Sequence, residues 1–157
     1  MYTFDFDTQL REGVRGEHGL DTAFAADWRI TPATVADQRR GIDRYFTHRE
    51  TQEHLTVEYK TDYTAGRTHN GFLETVSVDT PPGKPGWVFT CQADFLFYYI
   101  PADSLVYALR PPRIRHFVGH LSHWRRPVSI PNRGYRTWGY VVPLRVFERL
   151  ADAAVWV

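Results

Sequence analysis

Along this chain the spacing of apolar positions changes several times, and each change marks an expected element. From about Asp5 to Ala25, the apolar residues Phe6, Leu10, Val14, Leu20 and Phe24 recur at helical spacing. At 100° per residue they fall within an arc of roughly 120°, which predicts an amphipathic helix. "WRITPAT" then reads as a short strand and turn, and "GIDRYF" (41–46) and "HLTVEYKT" (54–61) as two strands of a hairpin around the polar "THRETQE". "DTPPGKPGW" (79–87) is the strongest breaker cluster and predicts an exposed loop. "GWVFTCQADFLFYYIP" (86–101) predicts one or two buried strands, with its aromatics in the sheet core. "DSLVYALRPPRIRHFVGHL" predicts a helix broken at Pro111 and Pro112. "RTWGYVVP" predicts a further strand, and Pro143 the first position of a last helix, "PLRVFERLADAA". The order predicts an α/β fold, a central mixed β-sheet flanked by α-helices, in one domain over 1–157.

Two positions break this pattern in a way that calls for chemistry. Glu17 falls at the centre of the apolar arc, within roughly 20° of Leu10 and Phe24. A carboxylate facing a core is costly unless it is paired or holds a metal; a shallow helix would leave it half-buried instead. Lys60 is the second. Of 19 basic residues only Lys60 and Lys84 are lysine. Lys60 ends "VEYK", two residues after Glu58, so both point to one face of their strand. Asp43, on the partner strand, is placed to meet Glu58 across the hairpin. Two acids on adjacent strands offer oxygen ligands suited to a hard cation such as Mg²⁺. A lysine beside them could orient or deprotonate an attacking water, or offset charge developing on a phosphate. Taken alone, the triplet equally describes a solvent-facing cross-strand pair.

Charge sharpens this. Residues 1–79 carry 9 Lys/Arg against 14 Asp/Glu, and residues 80–157 carry 10 against 4. Nine arginines and a single acid, Glu148, lie between Arg110 and Arg149. An acidic half for cations and a basic half for phosphates suits a metal-dependent enzyme acting on a polyanion, though an uneven surface would look the same. The expected backbone contacts are Arg110, Arg113, Arg115, Arg125, Arg126, Arg133 and Arg136, in "RPPRIRH", "HWRRP" and the segment that follows. His116, His120 and His123 line one side of a helix, open to zinc, to phosphate or to no role. Glu74 adds a carboxylate if its strand runs beside Glu58, and Asp62 reads as a strand-end turn residue. The single cysteine, Cys91, reads as a small buried hydrophobe. No apolar run approaches the roughly 20 residues of a membrane span, and the acidic start is unlike a signal peptide, so a soluble cytoplasmic protein is expected.

A helix with an inward glutamate, then "GID", then "VEYK" resembles the PD-(D/E)XK nuclease superfamily, whose core is a sheet flanked by helices as in restriction endonucleases. The resemblance covers residues 10–62 with its motifs. It implies that Asp43, Glu58 and the Tyr59 carbonyl bind Mg²⁺, with Mn²⁺ as a substitute. Glu17 then helps hold metal or water, and Lys60 is catalytic. Ile42 stands where the family's proline precedes the first aspartate. The size and the early helix glutamate are most similar to the small archaeal-type Holliday junction resolvases, which some phages also encode. These imply symmetric cleavage of four-way DNA junctions by a homodimer. Another nuclease of the superfamily, acting on ends, flaps or foreign DNA, and a non-catalytic DNA-binding protein are the alternatives.

Overall fold

The computed structural model describes residues 6–157, with side chains from residue 13 onward. In chain order the elements are α1 (Phe6–Phe24), β1 (Trp28–Pro32), α2 (Val35–Gln38), β2 (Arg44–His48), β3 (His54–Thr61), α3 (Ala65–Thr68), β4 (Asn70–Val78), β5 (Lys84–Pro85) and α4 (Trp87–Thr90). They continue with β6 (Phe95–Ile100), a 3₁₀ turn (Pro101–Asp103), β7 (Leu105–Leu109), α5 (Pro111–Leu121), β8 (Val128–Pro131), β9 (Arg136–Pro143), α6 (Leu144–Leu150) and β10 (Ala151–Trp156). Six strands form a mixed sheet in the order β1-β2-β3-β6-β7-β10. Only β3 and β6 are parallel; the other neighbours run antiparallel. A second, antiparallel sheet has the order β5-β4-β9-β8. The expected α/β fold, with a central mixed sheet flanked by helices, is present. No helix among the described residues is long and apolar enough to cross a membrane.

Strand alternation divides the core in two. Phe46, Val57, Tyr59, Phe97, Val106 and Ala108 point to one face, where Leu20 of α1 packs among them. Leu96, Tyr98, Ile100, Tyr107 and Leu109 point to the other face. There Leu73, Tyr140 and Val142 of the second sheet meet Trp87 and Val88 of α4, Ile114 and Val118 of α5, and Phe147 of α6. The central strands are thus apolar on both faces, and the aromatic run "DFLFYYIP" is core, as expected. Cys91 is also buried, and burial pushes its thiol up to about 12.

Several expected elements are different. "WVFT" opens the 86–101 segment as a helical turn, so one strand follows rather than two. "LVYAL" is strand β7, not helix: Val106 and Ala108 serve one buried face, Tyr107 and Leu109 the other. Pro111 and Pro112 do not break a helix; they open α5, where the first-turn N–H groups have no partner to lose. Pro143 is the cap before α6 rather than its first residue, and the helix ends at Leu150 because "ADAAVW" is taken as edge strand β10 beside β7. In α1, Val14 is 59% exposed although it falls in the apolar arc. The helix therefore rests on β3 by a narrower stripe through Leu20. The burial of Phe6 and Leu10 lies outside the described side chains.

Gly16 sets how closely α1 approaches β3. A Cβ there would stand 2.2 Å from Thr61 Oγ1 and 3.0 Å from two more atoms of that short, branched side chain. Gly16→Ala gains up to about 1 kcal/mol of helix propensity but forces the helix off the strand. A net loss of about 1–2 kcal/mol is expected in urea unfolding, recovered when Thr61→Ala removes the obstruction.

Candidate active site

The site forms where β2 stops and β3 continues. The β2–β3 ladder ends at the pair Arg44 and Val57. Asp43, just before β2, still donates its N–H to the Val57 carbonyl at 2.9 Å. Beyond it, the Tyr59 N–H has no strand partner on that side, and Asp43 Oδ2 accepts it instead at 2.8 Å. By ladder alternation the Tyr59 carbonyl points past the end of β2 as well. Gly41 lets the chain enter this turn: its φ is +70°, and a Cβ would lie 2.7 Å from the Cα of Cys91.

Glu58 is the only buried charged residue among those described, 5% exposed. Its Oε1 takes a salt bridge from Lys60 Nζ at 2.6 Å. Its Oε2 is buried without a hydrogen-bond partner. Burial raises its pKa to about 7; Lys60 pulls the other way, and Asp43 raises it further, as a charge and as a group that can share a proton. Burial pulls the Lys60 ammonium down, but Glu58 above all, with Asp43 and Glu74, holds it above its ordinary value. Lys60 is therefore a cation pinned on one carboxylate, with a third of its side chain exposed.

The structure thus brings Asp43, Glu58 and Lys60 together as the sequence predicts. Glu17 arrives from the opposite face of the sheet, half-buried. Its Oε2 accepts from Arg44 Nη2 at 3.0 Å. Burial raises its pKa, and the Asp43 charge raises it further. It is within electrostatic range of the site but tied to Arg44. Glu74 is not on a strand beside Glu58, since β2 and β6 flank β3. It comes instead from β4 of the second sheet, with Oε1 accepting from the Trp87 N–H at 3.3 Å. Burial raises its pKa and the Lys60 charge lowers it. Asp62 is the expected turn residue: Oδ1 caps the N–H groups of Thr64 and Ala65, and Oδ2 accepts from the Tyr98 hydroxyl.

Arg44 is a site residue that sequence reasoning missed. Its Nε spans both Asp21 oxygens at 3.0 and 3.1 Å, its Nη2 holds Glu17, and its Nη1 donates to the Asp43 carbonyl at 3.1 Å. The Tyr59 hydroxyl also donates to Asp21 Oδ1, at 3.0 Å. The available signal was spacing. Glu17 and Asp21 share a helix face four residues apart, and Arg44, next to Asp43, must point toward it.

The seven arginines have different surroundings. Arg110 and Arg113 both pair with Asp152 of β10, and Arg110 also lies 4.5 Å from the Phe95 ring. Arg115 donates to the Cys91 carbonyl at 3.0 Å, and Arg136 to Ser129 Oγ. Arg125, Arg126 and Arg133 are exposed, and no acid among the described residues pairs with them. His116 and His120 meet with their Nε2 atoms 3.2 Å apart, whereas His123 lies past the end of α5.

Among the described residues no group of three or more His, Cys, Asp or Glu gathers to hold a metal. Zinc takes three or four protein ligands. Mg²⁺ asks less of the protein, one or two carboxylates with waters completing the shell. Asp43, the orphaned Oε2 of Glu58 and the Tyr59 carbonyl fit that requirement.

No protein-family model and no curated protein matches the sequence. Among solved structures, a bacterial homing endonuclease, I-Ssp6803I, is similar at 17% sequence identity and a TM-score of 0.49, over 69% of this chain and 72% of that chain.

The buried Glu58 has a measurable cost. Its folded pKa lies above the unfolded value, so the folded state holds the extra proton. Stability must then fall as pH rises from about 4.5 to about 7. Glu58→Gln should remove that slope. At pH 8 the variant is expected to be about 1–2 kcal/mol more stable than the wild type in denaturant unfolding, with the difference closing below pH 5.

Proposed function

We propose that this chain is a metal-dependent DNA endonuclease of the PD-(D/E)XK type, in a single domain, and specifically a structure-selective resolvase of four-way junctions that works as a homodimer. The observation that carries the reading is the Asp43–Glu58–Lys60 arrangement. A carboxylate is kept buried at a raised pKa, with one oxygen on a lysine and the other unpartnered beside a second carboxylate. Structural ion pairs rarely leave a buried carboxylate oxygen unused.

Asp43 Oδ2 is fixed by the Tyr59 N–H, which leaves Oδ1 for a ligand, and Glu58 presents Oε2 from the neighbouring strand. With the Tyr59 carbonyl, these would hold Mg²⁺, or Mn²⁺ in its place. When bound, that ion would polarise the scissile phosphate and lower the pKa of a water. Lys60 is charged, so it serves as a donor and not as a base. Held by Glu58, its ammonium orients the attacking water or offsets charge developing on a phosphate oxygen. The water oxygen bonds to phosphorus, giving up a proton to solvent, as the bond to the 3′-oxygen breaks and that oxygen takes a proton from solvent, giving 5′-phosphate and 3′-hydroxyl ends. Glu17 joins this site only by giving up part of its bond to Arg44, so its role is to help hold metal or water at the margin. The arginine-rich second half would grip the duplex arms. A junction needs two symmetric cuts, which a two-fold dimer supplies.

The test is cleavage of end-labelled DNA, as four-way junction, splayed arm, linear duplex and single strand, each with Mg²⁺ and with EDTA. Paired symmetric nicks in the junction with Mg²⁺ alone are expected. Lys60→Ala and Asp43→Asn should lower the cleavage rate by about 10²-fold or more while leaving junction binding within a few-fold of wild type. Cutting of duplex or ends would keep the nuclease and discard the junction. Binding without cutting, indifferent to Lys60→Ala, would show a DNA-binding protein.

A further inference from the structure

Trp124 is the most exposed large apolar side chain among the described residues, 86% accessible. An indole of that size is normally buried or docked. It is not on a loose loop. The Trp124 and Arg125 N–H groups both donate to the Leu121 carbonyl, at 3.0 and 2.9 Å, continuing the last turn of α5. Arg126, preceding Pro127, is biased toward extended backbone. The turn therefore presents a flat aromatic ring with a guanidinium on each of the next two residues, and no described acid neutralises either. Trp156, the next most exposed, stands between Val155 and Val157 in the chain and opposite Leu105 of β7, with no charge on any of the three.

The chain beyond the turn enters the wall of a cleft. Pro127 lines this open cleft of about 630 Å³ together with Thr75, Lys84 and Trp138.

We infer that Trp124 is a stacking platform for a nucleobase that has left its helical stack, with Arg125 and Arg126 on the phosphates that flank it. The inference rests on the nuclease reading and deepens it, because it supplies the selectivity for distorted DNA that phosphate contacts lack. A ring face accepts any base, and arginines fix the backbone beside it. Fully paired duplex offers phosphates but no free base face. A junction, a bulge or a fork offers both.

The experiment measures full-length protein binding by fluorescence anisotropy, without divalent metal, to three labelled DNAs: a paired duplex, the same duplex with one bulged base, and a four-way junction. Trp124→Ala should weaken binding to the bulge and junction roughly tenfold and leave the paired duplex within twofold, and Trp124→Phe should keep most of the affinity. Arg125→Ala with Arg126→Ala should weaken all three DNAs and reduce the salt slope by about 2. Equal affinities of wild type and Trp124→Ala for the bulge, or an equal loss on paired duplex, would overturn the stacking role while leaving nuclease activity standing. Wild type that neither binds nor cuts any of the DNAs would overturn the nuclease reading as well. Binding to phosphatidylserine vesicles that Trp124→Ala abolishes, with DNA binding unchanged, would assign the turn to a lipid surface instead.

Discussion

A carboxylate that cannot reach water sets the terms for this structure. Glu58 occupies a central strand with helix α1 on one side of the sheet and the second sheet on the other, so burial raises its pKa to about 7. Apolar residues in place of both Glu58 and Lys60 would fold at least as well, since replacing a buried ion pair by apolar groups is often neutral or stabilising. What keeps the charge tolerable is the lysine. Lys60 neutralises one oxygen, whereas the Asp43 carboxylate, held in place by the Tyr59 N–H, adds to the cost. Two carboxylates held this close would favour a cation between them.

The same economy governs α1. Arg44, its side chain 13% exposed, points with Phe46 to the α1 face and holds Asp21 and Glu17, while its backbone begins the strand that Asp43 precedes. Tyr59 presents its N–H to Asp43 and its hydroxyl to Asp21, so one residue couples Asp43 to the helix. Gly16 brings that helix close enough to Thr61 for these bonds to form. Side chains on the two faces of one strand thus meet around its open edge, which is why Glu17 can influence a site on the opposite face.

Much of this was legible in sequence because the signals were local. The α1 period, the hairpin around "THRETQE" and the shared face of Glu58 and Lys60 follow from helix and strand geometry alone. What failed involved segments whose local preference was overridden. "LVYAL" carries no strand alternation because both its faces are buried, a pattern that periodicity cannot tell from helix. "ADAAVW" has strong helix formers but joins an edge strand, since β7 would otherwise expose its backbone. The second sheet, and with it the approach of Glu74, depends on pairings such as Leu73 with Tyr140, far apart in sequence and without a local signature. Arg44 escaped notice for the opposite reason, as one arginine among 17 whose partners only the fold identifies.

If the buried carboxylate is kept for a cation, the chain must bind one, and the most direct measurement is calorimetric titration of Mn²⁺ and Mg²⁺ into metal-free protein. At pH 8 the account predicts saturable binding by the wild type and none by Asp43→Asn. At pH 5.5 it predicts affinity roughly tenfold weaker or more, because Glu58 must first release its proton. No binding heat at pH 8, or equal affinity in Asp43→Asn, would contradict it and leave Glu58 and Lys60 as a structural ion pair.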